Sequence, residues 1–411
     1  MKINIRTVTL GISNKNLFDL NLQNDIHKFF LNAINHFSSV GISATTKRIN
    51  LPLINSDDKF NFQRTNEIIK TLDKICKEEG IRWFGIPFST FGKADPRLLQ
   101  QQILEIIKRY PNTFINLIIA KDKKINFQGI SQGSRLINEI SRLSSSGYDN
   151  FRFGVSCNIK PNTPFFPFTY QEGESGFSIG LELVNEMIQI VQNTQTGDLN
   201  IIKDDIINKI TPCIQEIDRV AKTIEKNTGF EYKGIDVSLA PLPRPGNSVA
   251  ELIEILGSES FGSHGTLFIT SYLTNILKAI IKKGNIRSVG FNGVMFSQSE
   301  DAGMGKRNSN RMYGIDSLIS YSSVCGCGID MVPIPGNSFE EEISALIIDV
   351  AGLSCTWDKP LGIRLLPIPM KNENEYTDFN HDFLYNTRIQ GLGNQSLKQG
   401  YFKDQILDYK Y

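Results

Sequence analysis

The sequence predicts one large α/β domain built on a mainly parallel sheet. Short apolar strand candidates alternate with amphipathic helix candidates, the alternation runs through both halves, and no Gly/Ser-rich or charged linker divides the chain. Neighbouring strands that run the same way need a long crossover, and a helix is the usual one. With 411 residues, 40% hydrophobic and 21% charged, the chain can bury a sizeable core.

Residues 24–40 set Ile26, Phe29, Phe30, Ala33, Ile34 and Phe37 on one stripe at three-and-four spacing, which predicts a helix closed by Gly41. A second helix near 65–79 ends at Gly80 and leads into a strand over Arg82–Pro87. A third near 97–109 leads into Thr113–Ala120, short, apolar and partly β-branched. A fourth near 133–144 leads into Phe151–Cys157, and a long apolar helix is expected to begin near Ile179. Further strand candidates lie at 234–239, 287–296, 328–332 and 361–366, each separated by at least one helix. This pattern suits both a doubly wound sheet and a closed barrel.

An internal echo points to pseudo-symmetry. Gly234-Ile235-Asp236 leads through a proline-rich loop to Ser248, Glu251 and an apolar helix; Gly328-Ile329-Asp330 leads through a similar loop to Ser338, Glu341 and another. Each Ser-x-x-Glu has the spacing of a capping box. Prolines mark strand ends, and loops after the carboxyl ends of parallel strands are where such folds place their chemistry.

Lys plus Arg is 44 and Asp plus Glu is 43, a net charge of +1, so the cation surplus of a nucleic-acid binder is absent. No apolar run reaches the roughly 18 residues of a membrane span. Arg6 interrupts the place where the apolar stretch of a signal peptide would lie, so a cytoplasmic protein is expected. Six scattered cysteines without a C-x-x-C pair read as free thiols. No phosphate loop is present, since Gly303-x-Gly305-Lys306 lacks both the upstream glycine and the following Ser/Thr; neither ATP nor a dinucleotide is expected.

The chemistry-bearing candidates are few. Glu300 and Asp301 are adjacent acids in a Gly/Ser-rich loop, suited to proton transfer, to a divalent cation, or to a turn whose Asp caps the next helix. His264, framed by glycines at a helix start, suits a base or ligand and equally a cap. Asp236 and Asp330 sit inside apolar strands and must be paired; a shared metal or proton site and separate backbone anchors are both open. Cys325-Gly326-Cys327 offers Cys325 as a nucleophile or the pair as tightly packed small residues. Arg48, Ser175, Ser178 and Ser248 are the candidate substrate contacts, Arg48 as a carboxylate or phosphate clamp. The expected ligand is a small polar or anionic metabolite, bound with or without turnover, in a protein that is neither membrane-bound nor bound to nucleic acid and is expected to form a homo-oligomer.

Several of these segments together resemble one family. Ile5–Ile12, Gly176–Glu182, Gly234–Pro241, Ser248–Glu251, Ser263–Thr266, Ser299–Met304 and Val324–Gly336 are similar, in matching order, to the DUF711 family, also called UPF0210, whose members are uncharacterised. The resemblance implies a single domain over 1–411 with a β/α barrel of about ten strands, like that of pyruvate formate-lyase and the anaerobic ribonucleotide reductases. It implies no activity. Those fold relatives use a loop cysteine inside the barrel and a glycyl radical near the carboxyl terminus. Cys325 and Gly391 are the counterparts the resemblance offers, although Gln390 and Leu392 depart from the radical motif.

Overall fold

The computed structural model of the chain describes residues 3–55, 62–92, 95–393, 397–398 and 405–409. Its strands are β1 (Asn4–Gly11), β2 (Ala44–Asn50), β3 (Ile54–Asn55), β4 (Trp83–Ser89), β5 (Thr113–Lys121), β6 (Lys124–Asn126), β7 (Phe153–Cys157), β8 (Gly176–Glu182), β9 (Glu231–Asp236), β10 (Gly328–Pro335), β11 (Leu361–Ile368) and β12 (Ile406–Asp408). Its helices are α1 (Leu22–Ser39), α2 (Phe62–Glu78), α3 (Pro96–Arg109), α4 (Phe127–Ser141), α5 (Val184–Thr194), α6 (Leu199–Thr228), α7 (Val249–Ile255), α8 (Thr266–Gly284), α9 (Ala302–Ser309), α10 (Ile315–Ser322) and α11 (Glu340–Trp357). None of the helices among these residues is long and apolar enough to cross a membrane.

The α1 stripe works as its spacing predicts: Ile26, Phe29, Phe30, Ala33 and Phe37 are buried, with Phe29 packed on Phe177 of β8. Residues 176–182 depart from expectation. They form β8 instead of opening a helix, because Phe177, Ile179 and Leu181 alternate with small residues and the whole segment pairs along β1. The helix starts later, at Val184.

All twelve described strands join one sheet, whose main path is β10-β11-β7-β5-β4-β2-β1-β8-β9. β1, β2, β4, β5 and β7 share one direction. β8 and β9 run against β1, and β10 and β11 run against β7, so two antiparallel seams bound the first parallel set.

Both faces of the sheet are out of water: every residue of β11 and all but the last of β5 are buried. Helices such as α4 and α11 cover one face. The chain itself fills the other. Residues 158–171, between β7 and β8, receive a hydrogen bond from Asn50 Nδ2 to Thr169 Oγ1 (2.7 Å), one from Asn116 Nδ2 to the Thr169 carbonyl (3.2 Å) and one from Thr9 Oγ1 to the Pro164 carbonyl (3.4 Å). Phe168 presses so closely on β7 and β11 that a Cβ at Gly154 or Gly362 would stand 2.5 or 2.4 Å from its ring. Only glycine fits at those two places.

The segment 287–296, expected as a strand, and Ser297 just after it make isolated bridges only: Ile235 with Ser288, Leu239 with Val294, and Ser297 with Asp330. Gly290 (φ 80°) and Asn292 (φ 50°) turn its backbone out of the extended range, and Asp236 captures the Phe291 and Asn292 N–H groups at 2.8 and 3.1 Å. Among the described residues no continuous ladder joins β9 to β10, so strand pairing does not close the sheet.

Candidate functional site

An arginine inside an apolar strand must meet a partner or a cavity, because a buried charge without either is costly. Arg6 of β1, Arg48 of β2 and Arg364 of β11 all point to one cavity, which Arg82 and Arg244 also line. Glu182, Glu300 and Asp330 line it too, so five guanidiniums face three carboxylates. Trp83, Phe114, Phe151 and Phe166 give it an apolar wall, with Phe114 edge-on to Trp83 and Phe151 at 5.1 and 5.2 Å. The cavity volume is about 80 Å³, several times the roughly 10–15 Å³ that holds one water on the same measure.

The seams explain its position. It lies at the amino-terminal ends of β4 and β5, where Trp83 and Phe114 sit, and beyond the carboxyl-terminal ends of β8 and β9, where Glu182 and Arg244 sit. The expectation that chemistry follows carboxyl ends therefore holds for only part of the sheet.

At one side Arg364 donates from Nε to Asp330 Oδ1 (2.6 Å) and from Nη2 to both Asp330 Oδ2 (2.7 Å) and Glu300 Oε2 (2.6 Å). Its Nη1 donates to the Phe151 carbonyl at 3.1 Å, and Ser297 Oγ donates to Glu300 Oε2 at 2.5 Å. Burial works to raise Glu300, but Arg364 and Arg6 outweigh it and hold the carboxyl below its usual range. Asp330 goes the other way: burial raises it, the Glu300 charge adds to that, and Arg364 only partly compensates. Environments that drive two neighbouring carboxyls apart separate an acid from a base.

Arg48 is held differently. Its guanidinium lies over Trp83 and Phe166, 5.1 and 5.2 Å from their ring centres, and Nη1 donates to the Pro164 carbonyl at 3.3 Å. Its Nε is buried without a hydrogen-bond partner. Burial and then the like charge of Arg6 pull the group down to about 9. At the rim, exposed Arg82 stacks between Trp83 and Phe383 at 4.4 and 4.2 Å.

Comparison with known proteins places most of the chain. The family model described as Uncharacterised ACR (DUF711) matches residues 1–382. The chain belongs to the DUF711 family. A UPF0210 protein of Acetivibrio thermocellus is 27% identical over 92% of this chain and 88% of its own length. One of Pyrobaculum aerophilum is 27% identical over 76% of this chain and 70% of its own length. One of Methanocaldococcus jannaschii is 24% identical over 92% and 88%. Their names ascribe no activity. Of the cavity residues named above, only Phe383 lies outside the DUF711 match.

In this DUF711 chain the cavity unites three of the residues singled out from sequence, Arg48, Glu300 and Asp330. Asp301 is turned away from it. As the cap of α9 it accepts Ser248 Oγ (2.5 Å), the Val249 N–H (2.7 Å) and the Met304 N–H (3.0 Å), and burial raises it to about 6. Ser248 thereby serves as the start of α7, where it also accepts the Glu251 N–H at 3.1 Å. The echoed capping box is displaced by one residue in the second copy, where Glu342 accepts the Phe339 N–H at 2.8 Å. Ser175 bonds Ser13 and Asn16 at a different surface cavity, Ser178 is buried within β8, and His264 stands exposed just before α8.

Asp236 and Asp330 do not share a site. Asp236 is saturated by Ser238 N–H and Oγ and by the Phe291 and Asn292 N–H groups, whereas Asp330 belongs to Arg364. Among the described residues no group of three or more His, Cys, Asp or Glu stands together as a metal-binding set. Gly391 lines a separate cavity with Glu342 and Glu373, away from the one that Cys327 lines, so the juxtaposition with Cys325 that radical chemistry requires is not found. Sequence reasoning passed over Arg6 and Arg364, and singled out Cys327 only as half of the Cys325-Gly326-Cys327 pair. The signal for the first two was available, since each is a lone cation within an apolar strand.

Proposed function

We propose that this DUF711 protein takes a small organic anion with an apolar body into the arginine cavity and acts on it by acid–base chemistry at Glu300 and Asp330. The single observation that carries the reading is Arg48: a buried guanidinium with an unsatisfied Nε, backed by two aromatic faces and lining the cavity. Such a group awaits an oxyanion, and a carboxylate or phosphate oxygen satisfies it with a charge-assisted bond. The aromatic wall suits the apolar remainder of the ligand.

Glu300, held ionised, is the proton acceptor, and Asp330, held toward its neutral form, is the donor. A second reading, binding without turnover, is favoured by the saturation of Arg364 with both carboxylates. Incubating the purified protein with a pool of small carboxylates and following each by mass spectrometry separates the two. Depletion that stops in Glu300→Gln supports catalysis, and a rise in melting temperature without depletion supports binding alone. Absence of any rise that depends on Arg48 sinks both.

The finer architecture belongs to the same proposal. We read residues 1–411 as one domain and segment 287–297 as the tenth stave of a barrel like that of pyruvate formate-lyase. Bridges to β9 on one side and β10 on the other support this. So does the 158–171 loop, which touches strands from both sides of the sheet, Gly180 of β8 and Gly362 of β11 included.

A further inference from the structure

Cys325 and Cys327 have no part in the anion reading, yet Cys327 forms part of the cavity wall. Both are free thiols and both are shut off from bulk solvent. Cys327 Sγ accepts the Phe296 N–H at 3.2 Å, which fixes it against the 291–296 segment. Close backbone packing of Gly326 on Gly293 holds the turn in place, since a Cβ at Gly293 would stand 2.6 Å from the Gly326 nitrogen. Behind it, Cys325 gathers donors: the Cys327 thiol and the backbone N–H groups of Cys327 and Gly328, with Lys359 as a neighbouring cation. Converging N–H groups and a cation are the surroundings that stabilise a thiolate.

We propose that Cys325 and Cys327 form a reversible dithiol–disulfide couple, reached through the arginine cavity and oxidised there by small disulfides. Residues two apart lie at most about 7 Å from each other, and a disulfide spans up to about 6.8 Å between Cα atoms, so a C-x-C bridge closes without rearranging distant chain. Despite burial, the gathered donors bring Cys325 down to about 6, while its hydrogen bond to Cys325 drives Cys327 well above the ordinary thiol range.

The exchange balances in two steps. Cys327, the sulfur on the cavity wall, passes its proton to Cys325 as it attacks the disulfide RSSR. A bond forms between the Cys327 sulfur and one SR group, the S–S bond of RSSR breaks, the other half leaves as RS⁻, and Cys325 is left as the thiol. Cys325 then gives its proton to the RS⁻ just released and attacks the Cys327 sulfur, forming the internal disulfide and expelling the second RS⁻. The two cysteines are oxidised, and RSSR is reduced to two thiols. A small dithiol runs the same steps backwards.

The test uses the full chain, reduced and freed of reductant, with 2-hydroxyethyl disulfide as a neutral probe. The expected product has lost the mass of two hydrogens, has a Cys325–Cys327 link on peptide mapping and returns to six free thiols with dithiothreitol. Cys325→Ser should stop at a mixed disulfide on Cys327, and Cys327→Ser should react at least about tenfold more slowly. A mixed disulfide that persists on wild-type Cys327, oxidation confined to Cys213, or six thiols left intact in the native protein would each overturn the proposal. Arg48→Met separates this from the anion reading. It should remove any advantage that dithiodiglycolate, whose carboxylates the arginines attract, holds over the neutral probe, while the wild-type chain still forms the Cys325–Cys327 link with the neutral probe alone.

Discussion

Arg364 grips Asp330 through two parallel N–H···O bonds of 2.6 and 2.7 Å, and the same guanidinium reaches Glu300 at 2.6 Å. One cation thus serves two buried carboxylates. Replacing Arg364 with Leu strands both, and the expected cost is about 3–5 kcal/mol, the usual penalty for breaking a buried pair by removing one partner. Arg364→Lys should recover only part of it, because an ammonium lacks the planar fork. Urea denaturation at neutral pH checks both, and the gap between Arg364→Leu and wild type should narrow in mildly acidic buffer as the stranded acids protonate.

Arg48 predicts the reverse for stability. Among the described residues no carboxylate forms an ion pair with it, so Arg48→Met removes a buried charge that only aromatic faces and one carbonyl offset, and should leave the fold unharmed or stabilise it by on the order of 1 kcal/mol. The same variant should lose the melting-temperature rise produced by small carboxylates. A variant that both melts early and binds normally would show Arg48 to be a structural residue.

Gly362 tests the loop that fills the sheet. In Gly362→Ala the new methyl meets the Phe168 ring, which must move. Overpacking of this kind costs about 1–3 kcal/mol. Because the loop also carries Phe166 behind Arg48, anion affinity should fall as well. Pairing the change with Phe168→Ala should cost less than the sum of the two single variants, a coupling that a double-mutant cycle reads directly.

Asp301 predicts a pH dependence. Its carboxyl is raised by burial from 3.8 to about 6 in the folded chain. The folded state therefore binds that proton more tightly than the unfolded one, and the stability so gained is full below the unfolded value and is lost as pH rises through about 6. Asn at this position mimics the neutral form and does not titrate. The wild-type advantage over Asp301→Asn should therefore grow as pH falls from about 7 to about 4, at up to about 1.4 kcal/mol per pH unit between the folded and unfolded values. A difference that stays constant across that range would rule the linkage out.

Local periodicity carried most of the secondary structure, because a stripe such as Ile26–Phe37 has one reasonable way to be buried. It failed at Gly176–Glu182, where an alternating strand beside a glycine-rich loop imitates a helix start, and at 287–296, where Asp236 and two positive-φ residues convert a strand candidate into single bridges. Site chemistry was legible where a charge interrupts a strand, as at Asp330; Arg48 was expected just after a strand and lies inside β2 instead. Which acids meet was not. Glu300 and Asp301 are neighbours in sequence, yet one faces Arg364 and the other caps α9, a split decided by the short turn at 298–300 rather than by residue type. The echo misled for a similar reason: Asp236 and Asp330 occupy matching places, but only the second has an arginine on the adjoining strand.

The two antiparallel seams have a consequence for synthesis. The first parallel set is complete once residue 157 has been made, but its outer strands, β1 and β7, then have no neighbours on their far sides until β8 and, some two hundred residues on, β11 arrive. Unpaired strand edges invite association between chains. A nascent chain of this protein is therefore most vulnerable on the ribosome midway through translation, and its cavity, which draws on Arg6 and Arg364 alike, is among the last features it can assemble.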